Sequence, residues 1–212
     1  MNTDDLVDQL KAQTEALVKR GGDVRAETAH LVEEASSQFY QAKDGLTGLV
    51  KAVVDGAVTG ATDALPEHSD NALKQVVDGI TDGLSKSAQA VSLTVAEATA
   101  SGTHFAQEDL KKIVEDFRVV AGVLKDIVNT AIEATSGHLK SQAHNLGDHA
   151  ALTLQNLRPA LEATLHAATD DPAKLGRDTV HAGASAARQA AGVLFTELGQ
   201  YFHRVGDKLR GE

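Results

Sequence analysis

Residues 108–131, EDLKKIVEDFRVVAGVLKDIVNTA, decide the fold class. Leu110, Ile113, Phe117, Val120, Leu124, Ile127 and Ala131 recur at steps of three and four. That period gathers side chains on one face of an α-helix, whereas a strand would need alternation at every second residue. Glu108 and Asp109 fall in the first turn, where carboxylates meet unpaired amide groups and the positive end of the helix dipole. The spacing predicts a helix over about 104–136.

The same period runs outward from this segment in both directions. Towards the N-terminus, a helix over about 3–20 is capped at Thr3, carries Asp4 and Asp5 in its first turn, shows the stripe Leu6, Leu10, Thr14, Leu17 and ends at Gly21 and Gly22. Asp23 caps a second helix read to about residue 64, with a stripe through Val24, Thr28, Leu31, Ala35, Phe39, Ala42, Leu46, Leu49 and Val53; at ~1.5 Å per residue it would be about 60 Å long. Pro66 disfavours helix at Leu65, and Ser69 or Asp70 can cap a third helix over about 69–100 with Leu73, Val77, Ile80, Leu84, Val91, Val95 and Ala98. Beyond the opening segment, a fifth helix over about 138–169 is bent at Pro159, and a sixth over about 172–209 follows Asp171 and Pro172. The expectation is all-α: one domain over 1–212, an elongated antiparallel bundle of about six amphipathic helices with coiled-coil-like packing.

Composition narrows the function classes. The 212 residues are 42% hydrophobic and only 3% aromatic, with no tryptophan, so the core is thin and burial is expected to need long contacts or an oligomeric partner. The formal net charge of -10 repels phosphate backbones and no basic cluster offsets it, which argues against nucleic acid. Zero cysteines excludes disulfide and thiolate chemistry. The opening MNTDDLVDQL is acidic where a signal peptide is basic, and no apolar run approaches the roughly 20 residues of a membrane span. The expected location is cytoplasmic.

One internal echo stands out. KAVVDGAVTG at 51–60 and KQVVDGITDG at 74–83 share the lysine, two valines, the aspartate and both glycines. Gly56 and Gly60 thus match Gly79 and Gly83. A glycine inside a helix costs about 1 kcal/mol relative to alanine, and small residues four apart let helix backbones approach closely, so these four are read as close-packing positions.

Candidate chemistry is sparse. Glu27 with His30, and Asp178 with His181, have the three-residue spacing that di-metal bundles use on paired helices, but His30 points away from the apolar stripe, so a solvated face is the expected reading and no metal or cofactor is assigned. His138, His144 and His149 form a local cluster, also read as solvent-facing. No nucleophile elbow or phosphate-cradling glycine loop occurs, and no enzyme is expected. The amphipathic faces carry more. Residues 46–65 are rich in valine and alanine with lone charges at Lys51, Asp55 and Asp63, and Phe195 and Phe202 flank Leu198 and Tyr201 in the last helix. Such faces either adhere to a lipid, polymer granule or protein, or are covered by a third helix.

Alanine-rich stretches such as ALEATLHAAT at 160–169 and HAGASAARQAAGVL at 181–194, with the lack of cysteine and tryptophan, resemble in composition the phasins, helical coat proteins of bacterial storage granules. The resemblance implies a non-enzymatic structural role in which helices self-associate or coat a hydrophobic granule or lipid surface. Two alternatives are a carrier of a small apolar ligand, with room for an acyl chain beside Gly56, Gly60, Gly79 and Gly83, and a metal-binding bundle on Glu27, His30, Asp178 and His181.

Overall fold

Five helices follow one another through the residues that the computed structural model describes, which are 3–39, 45–62, 66–100, 107–134, 147–148 and 152: α1 (Thr3–Arg20), α2 (Val24–Phe39), α3 (Gly45–Thr62), α4 (Pro66–Ala100) and α5 (Gln107–Glu133). No strand occurs among the described residues. No helix among them is long and apolar enough to cross a membrane.

The first turn between helices follows from its residues. Gly21 donates its amide to the Leu17 carbonyl at 3.0 Å, and Gly21 and Gly22 take φ of 71° and 99°, the left-handed region that glycine enters without a Cβ clash. Asp23 then caps α2, its Oδ1 accepting from the Ala26 amide at 3.1 Å.

The helix read continuously over 23–64 is in fact two. α2 stops at Phe39 and α3 begins at Gly45, whose φ of 51° lies outside the right-handed helix. The two pieces also have different surroundings, which one straight rod could not supply. α2 buries one face, Val24, Thr28, Ala29, Val32, Glu33, Ala35, Ser36 and Phe39, while α3 buries twelve of its eighteen residues on all sides, the pattern of a helix at the centre of a core. Ala42 of the predicted stripe lies outside the described residues. α4 starts at Pro66, three residues before the predicted Ser69, because a proline at the first helical position forfeits no hydrogen bond.

The chain divides into two compact units, one of Met1–Ser85 with Glu115–Arg158 and one of Lys86–Val114 with Pro159–Glu212. In the first unit α3 is the hub. α1 makes a more extensive contact with it than α2 does. Val54, Ala57 and Val58 of α3 meet Leu73, Val76 and Val77 of α4 and Val128 and Ile132 of α5 around an apolar cavity of about 10 Å³, room for one water at most.

Among the described side chains of α5 the buried ones are Phe117, Val120, Leu124, Val128 and Ile132. The predicted stripe ran through Ile127 and Ala131 instead, and these two are half-buried. At about 100° per residue each step of four advances about 40° around the helix, so Val128 and Ile132 carry the buried face to the side of Leu124 away from Ile127.

Candidate functional site: twin glycine joints

The four glycines of the sequence echo are where helix backbones touch. A Cβ placed on Gly60 of α3 would stand 2.8 Å from the Glu15 carbonyl oxygen and 2.9 Å from the Val18 Cβ of α1. One on Gly56 would meet the Lys11 carbonyl oxygen closer still. On α4, a Cβ at Gly79 would lie 2.5 Å from the Arg25 carbonyl oxygen and 2.7 Å from the Thr28 Cβ, and one at Gly83 would lie 2.6 Å from the Ala29 oxygen and 2.7 Å from the Val32 Cβ of α2. All these separations are shorter than van der Waals contact between heavy atoms allows. The helices can come this close only because the side chain is a hydrogen.

These contacts form two copies of one joint. Lys11, Glu15 and Val18 on α1 stand to Gly56 and Gly60 as Arg25, Ala29 and Val32 on α2 stand to Gly79 and Gly83. Behind the equivalence is a second sequence echo that the reading of the chain alone missed: KAQTEALV at 11–18 and RAETAHLV at 25–32 share Ala, Thr, Leu and Val in register. A search for partners of the glycine echo would have found it. In each joint the contacts advance together along both helices, so α1 runs parallel to α3 and α2 parallel to α4.

The copies differ in polar detail. Thr14 and Thr28 occupy equivalent places and both are fully buried. The Thr14 hydroxyl donates to the Leu10 carbonyl at 2.9 Å, whereas the Thr28 hydroxyl has no partner. At the edge of the second joint Arg25 Nε donates to Asp82 at 2.6 Å, Nη2 donates to the other oxygen at 3.0 Å, and Asp78 stands 3.9 Å from Nη1. The hydrogen bond and charge of Asp82 raise the Arg25 pKa still further above its ordinary value. In the first joint Thr59 takes the place of Asp82 and donates instead to the carbonyl of Asp55 on its own helix, at 2.8 Å.

A third close approach involves Gly147, where a Cβ would lie 2.9 Å from Asn129 Oδ1 and 3.1 Å from Lys125 Cγ. Beside it Lys125 pairs with Asp148.

The remaining candidates are not brought together. Glu27 is exposed and paired with Arg20, and His30 is exposed with Nε2 3.3 Å from Glu34. Asp178 and His181 lie outside the described residues, as do His138, His144, His149, Phe195, Leu198, Tyr201 and Phe202. Among the described residues no three histidine, aspartate or glutamate side chains converge as a metal site.

The chain belongs to DUF6781, a family of unknown function, whose profile matches residues 2–199. No curated protein and no solved structure matches it.

Proposed function

We propose that this member of DUF6781 is a non-enzymatic structural or interaction protein of the cytoplasm, whose amphipathic helices self-associate or coat a hydrophobic surface such as a polymer granule or lipid. We read the whole chain as an elongated antiparallel bundle with coiled-coil-like packing, phasin-like in character and oligomeric. The parallel sense of α1 with α3 and of α2 with α4 supports that topology, since next-but-one helices run the same way in an up-and-down array.

The observation that carries the reading is the closure of the first unit's core. The apolar stripes of α1 to α5 are turned on one another around α3, so the valine- and alanine-rich face at 46–62 is core. Among the described residues the large apolar side chains left exposed are Val119 and Leu152, at 42% and 63%, too few for an adhesive patch. Adhesion then falls to the alanine-rich C-terminal segment with Phe195, Leu198, Tyr201 and Phe202. The two alternatives draw less support. At Gly56, Gly60, Gly79 and Gly83 the space for an acyl chain is filled by partner backbone, and Glu27 and His30 already face Arg20 and Glu34.

Light scattering after size-exclusion chromatography, alone and with lipid vesicles or storage-polymer particles, tests the proposal on the wild type and on the Phe195→Ser/Phe202→Ser variant. Association or surface binding by the wild type, lost in the variant at unchanged helicity, is the expected result. Association and surface binding unaltered by the double substitution would sink it.

A further inference from the structure

Thr14, Leu17, Gly21, Val24, Thr28, Leu31 and Ala35 follow one another at steps of alternately three and four across the turn between α1 and α2. The apolar register therefore does not reset at Gly21 and Gly22, as it would between two independently patterned helices. The two joint faces, Lys11–Val18 and Arg25–Val32, are offset by fourteen residues, two heptads. Were Gly21–Asp23 to become helical, α1 and α2 would merge into one rod carrying both faces on one side, about 20 Å apart at ~1.5 Å per residue.

From this we propose that α1 is exchanged between two copies of the chain. The turn opens, the merged helix keeps its α2 face on Gly79 and Gly83 of its own α4, and its α1 face docks on Gly56 and Gly60 of a second copy's α3. The occupant of the joint is unchanged in kind, since the surface that receives the incoming α1 is the one that α1 already covers. Two observations favour the exchange, and a third names what holds the closed form. α1 packs far more on α3 than on α2, the helix it is tied to, so leaving α2 forfeits little. The tie is three residues long, and two of them are glycines at positive φ, the first with nothing within 4 Å of where a Cβ would sit. A short hinge of this kind is where domain swapping sets in. The Arg20 and Glu27 side chains also meet across the turn, whereas in a continuous helix they would lie seven residues, about 10 Å, apart. That exposed ion pair is a staple specific to the closed form, and salt weakens it.

The exchange makes no use of the C-terminal phenylalanines, so it is tested in the Phe195→Ser/Phe202→Ser background, where failure of the adhesive stripe cannot be confused with failure of the hinge. Gly21→Ala/Gly22→Ala penalises the left-handed turn and favours helix at both positions, and Glu27→Gln removes the staple. Light scattering should show the dimer dissociation constant falling at least about tenfold for the glycine pair and by a smaller factor for Glu27→Gln. Spin labels then distinguish exchange from side-by-side pairing. Copies labelled only at Gln13→Cys are mixed with copies labelled only at Thr59→Cys and refolded together. In exchanged dimers these exposed sites on α1 and α3 come within the short distance that a doubly labelled monomer shows. Glycine variants that stay monomeric, or dimers that lack the short interchain distance, would overturn the proposal.

Discussion

Replacing Gly79 by alanine gives the sharpest test of the twin joints, because the sign of the effect depends on them. In an open helical position the change stabilises by about 1 kcal/mol through lower backbone entropy in the unfolded chain. Gly122 on α5 is such a position, exposed and with nothing within 4 Å of a new Cβ. At Gly79 the new methyl would stand 2.5 Å from the Arg25 carbonyl oxygen. The obstacle is backbone, so α2 and α4 must separate along the whole contact and loosen the packing of Thr28 and Val32. Overpacking of this kind costs about 1–3 kcal/mol, and with the intrinsic gain subtracted the net loss is about 0–2 kcal/mol. The two variants should therefore differ by roughly 1–3 kcal/mol, Gly122→Ala being the more stable, or some 2–12 °C in Tm for a chain of this size. Urea titration followed by far-ultraviolet circular dichroism reads both. A Gly79→Ala variant as stable as Gly122→Ala would mean that α2 and α4 do not meet at backbone distance.

Other substitutions have definite expectations. Thr28→Val removes a fully buried hydroxyl without a partner and should raise the urea midpoint, by about 1 kcal/mol in stability, while Thr14→Val deletes the bond to Leu10 and should lower it by about 0.5–1.5 kcal/mol. Equal effects would contradict the assigned hydrogen bonding. Ile132→Ala, at a fully buried position of α5, should cost about 2–5 kcal/mol, against less than about 0.5 kcal/mol for the exposed Val119→Ala; thermal melts of the pair check which face of α5 is inside. Arg25→Ala breaks an ion pair whose two side chains are 53% and 38% exposed, so its cost should stay below about 1 kcal/mol and shrink further in high salt.

The helical class, the bounds of α1, the glycine stop after it and the Asp23 cap are all readable from the chain, because each rests on chemistry within a few residues. Leu10, Leu17, Leu73, Ile80 and Leu84 were likewise readable as apolar stripe positions and are buried. Three features escaped for one shared reason, that they are decided by what a helix packs against. The break between Phe39 and Gly45 carries no proline, and the apolar period continues through it. The inward face of α5 turns towards Val128 and Ile132 beyond Leu124, where Ile127 and Ala131 are equally apolar and only the packed neighbours choose between them. The pairing of α1 with α3 links residues far apart in sequence, and the glycine echo announces a close approach without saying to which helix. The site candidates at 195–202 rest on the pattern of Phe195, Leu198, Tyr201 and Phe202 alone.

The parallel pairing of α1 with α3 bears on how the chain is born. Lys11 must wait for Gly56, forty-five residues later, and at synthesis rates of about 5–20 residues per second that interval is roughly 2–9 s. Until then only α2 is at hand, and its contact with α1 is small, so the stripe of Leu6, Leu10, Leu17 and Val18 waits largely uncovered. For those seconds the nascent helix is open to chaperones, and on a crowded polysome to the α3 of the chain made just ahead of it.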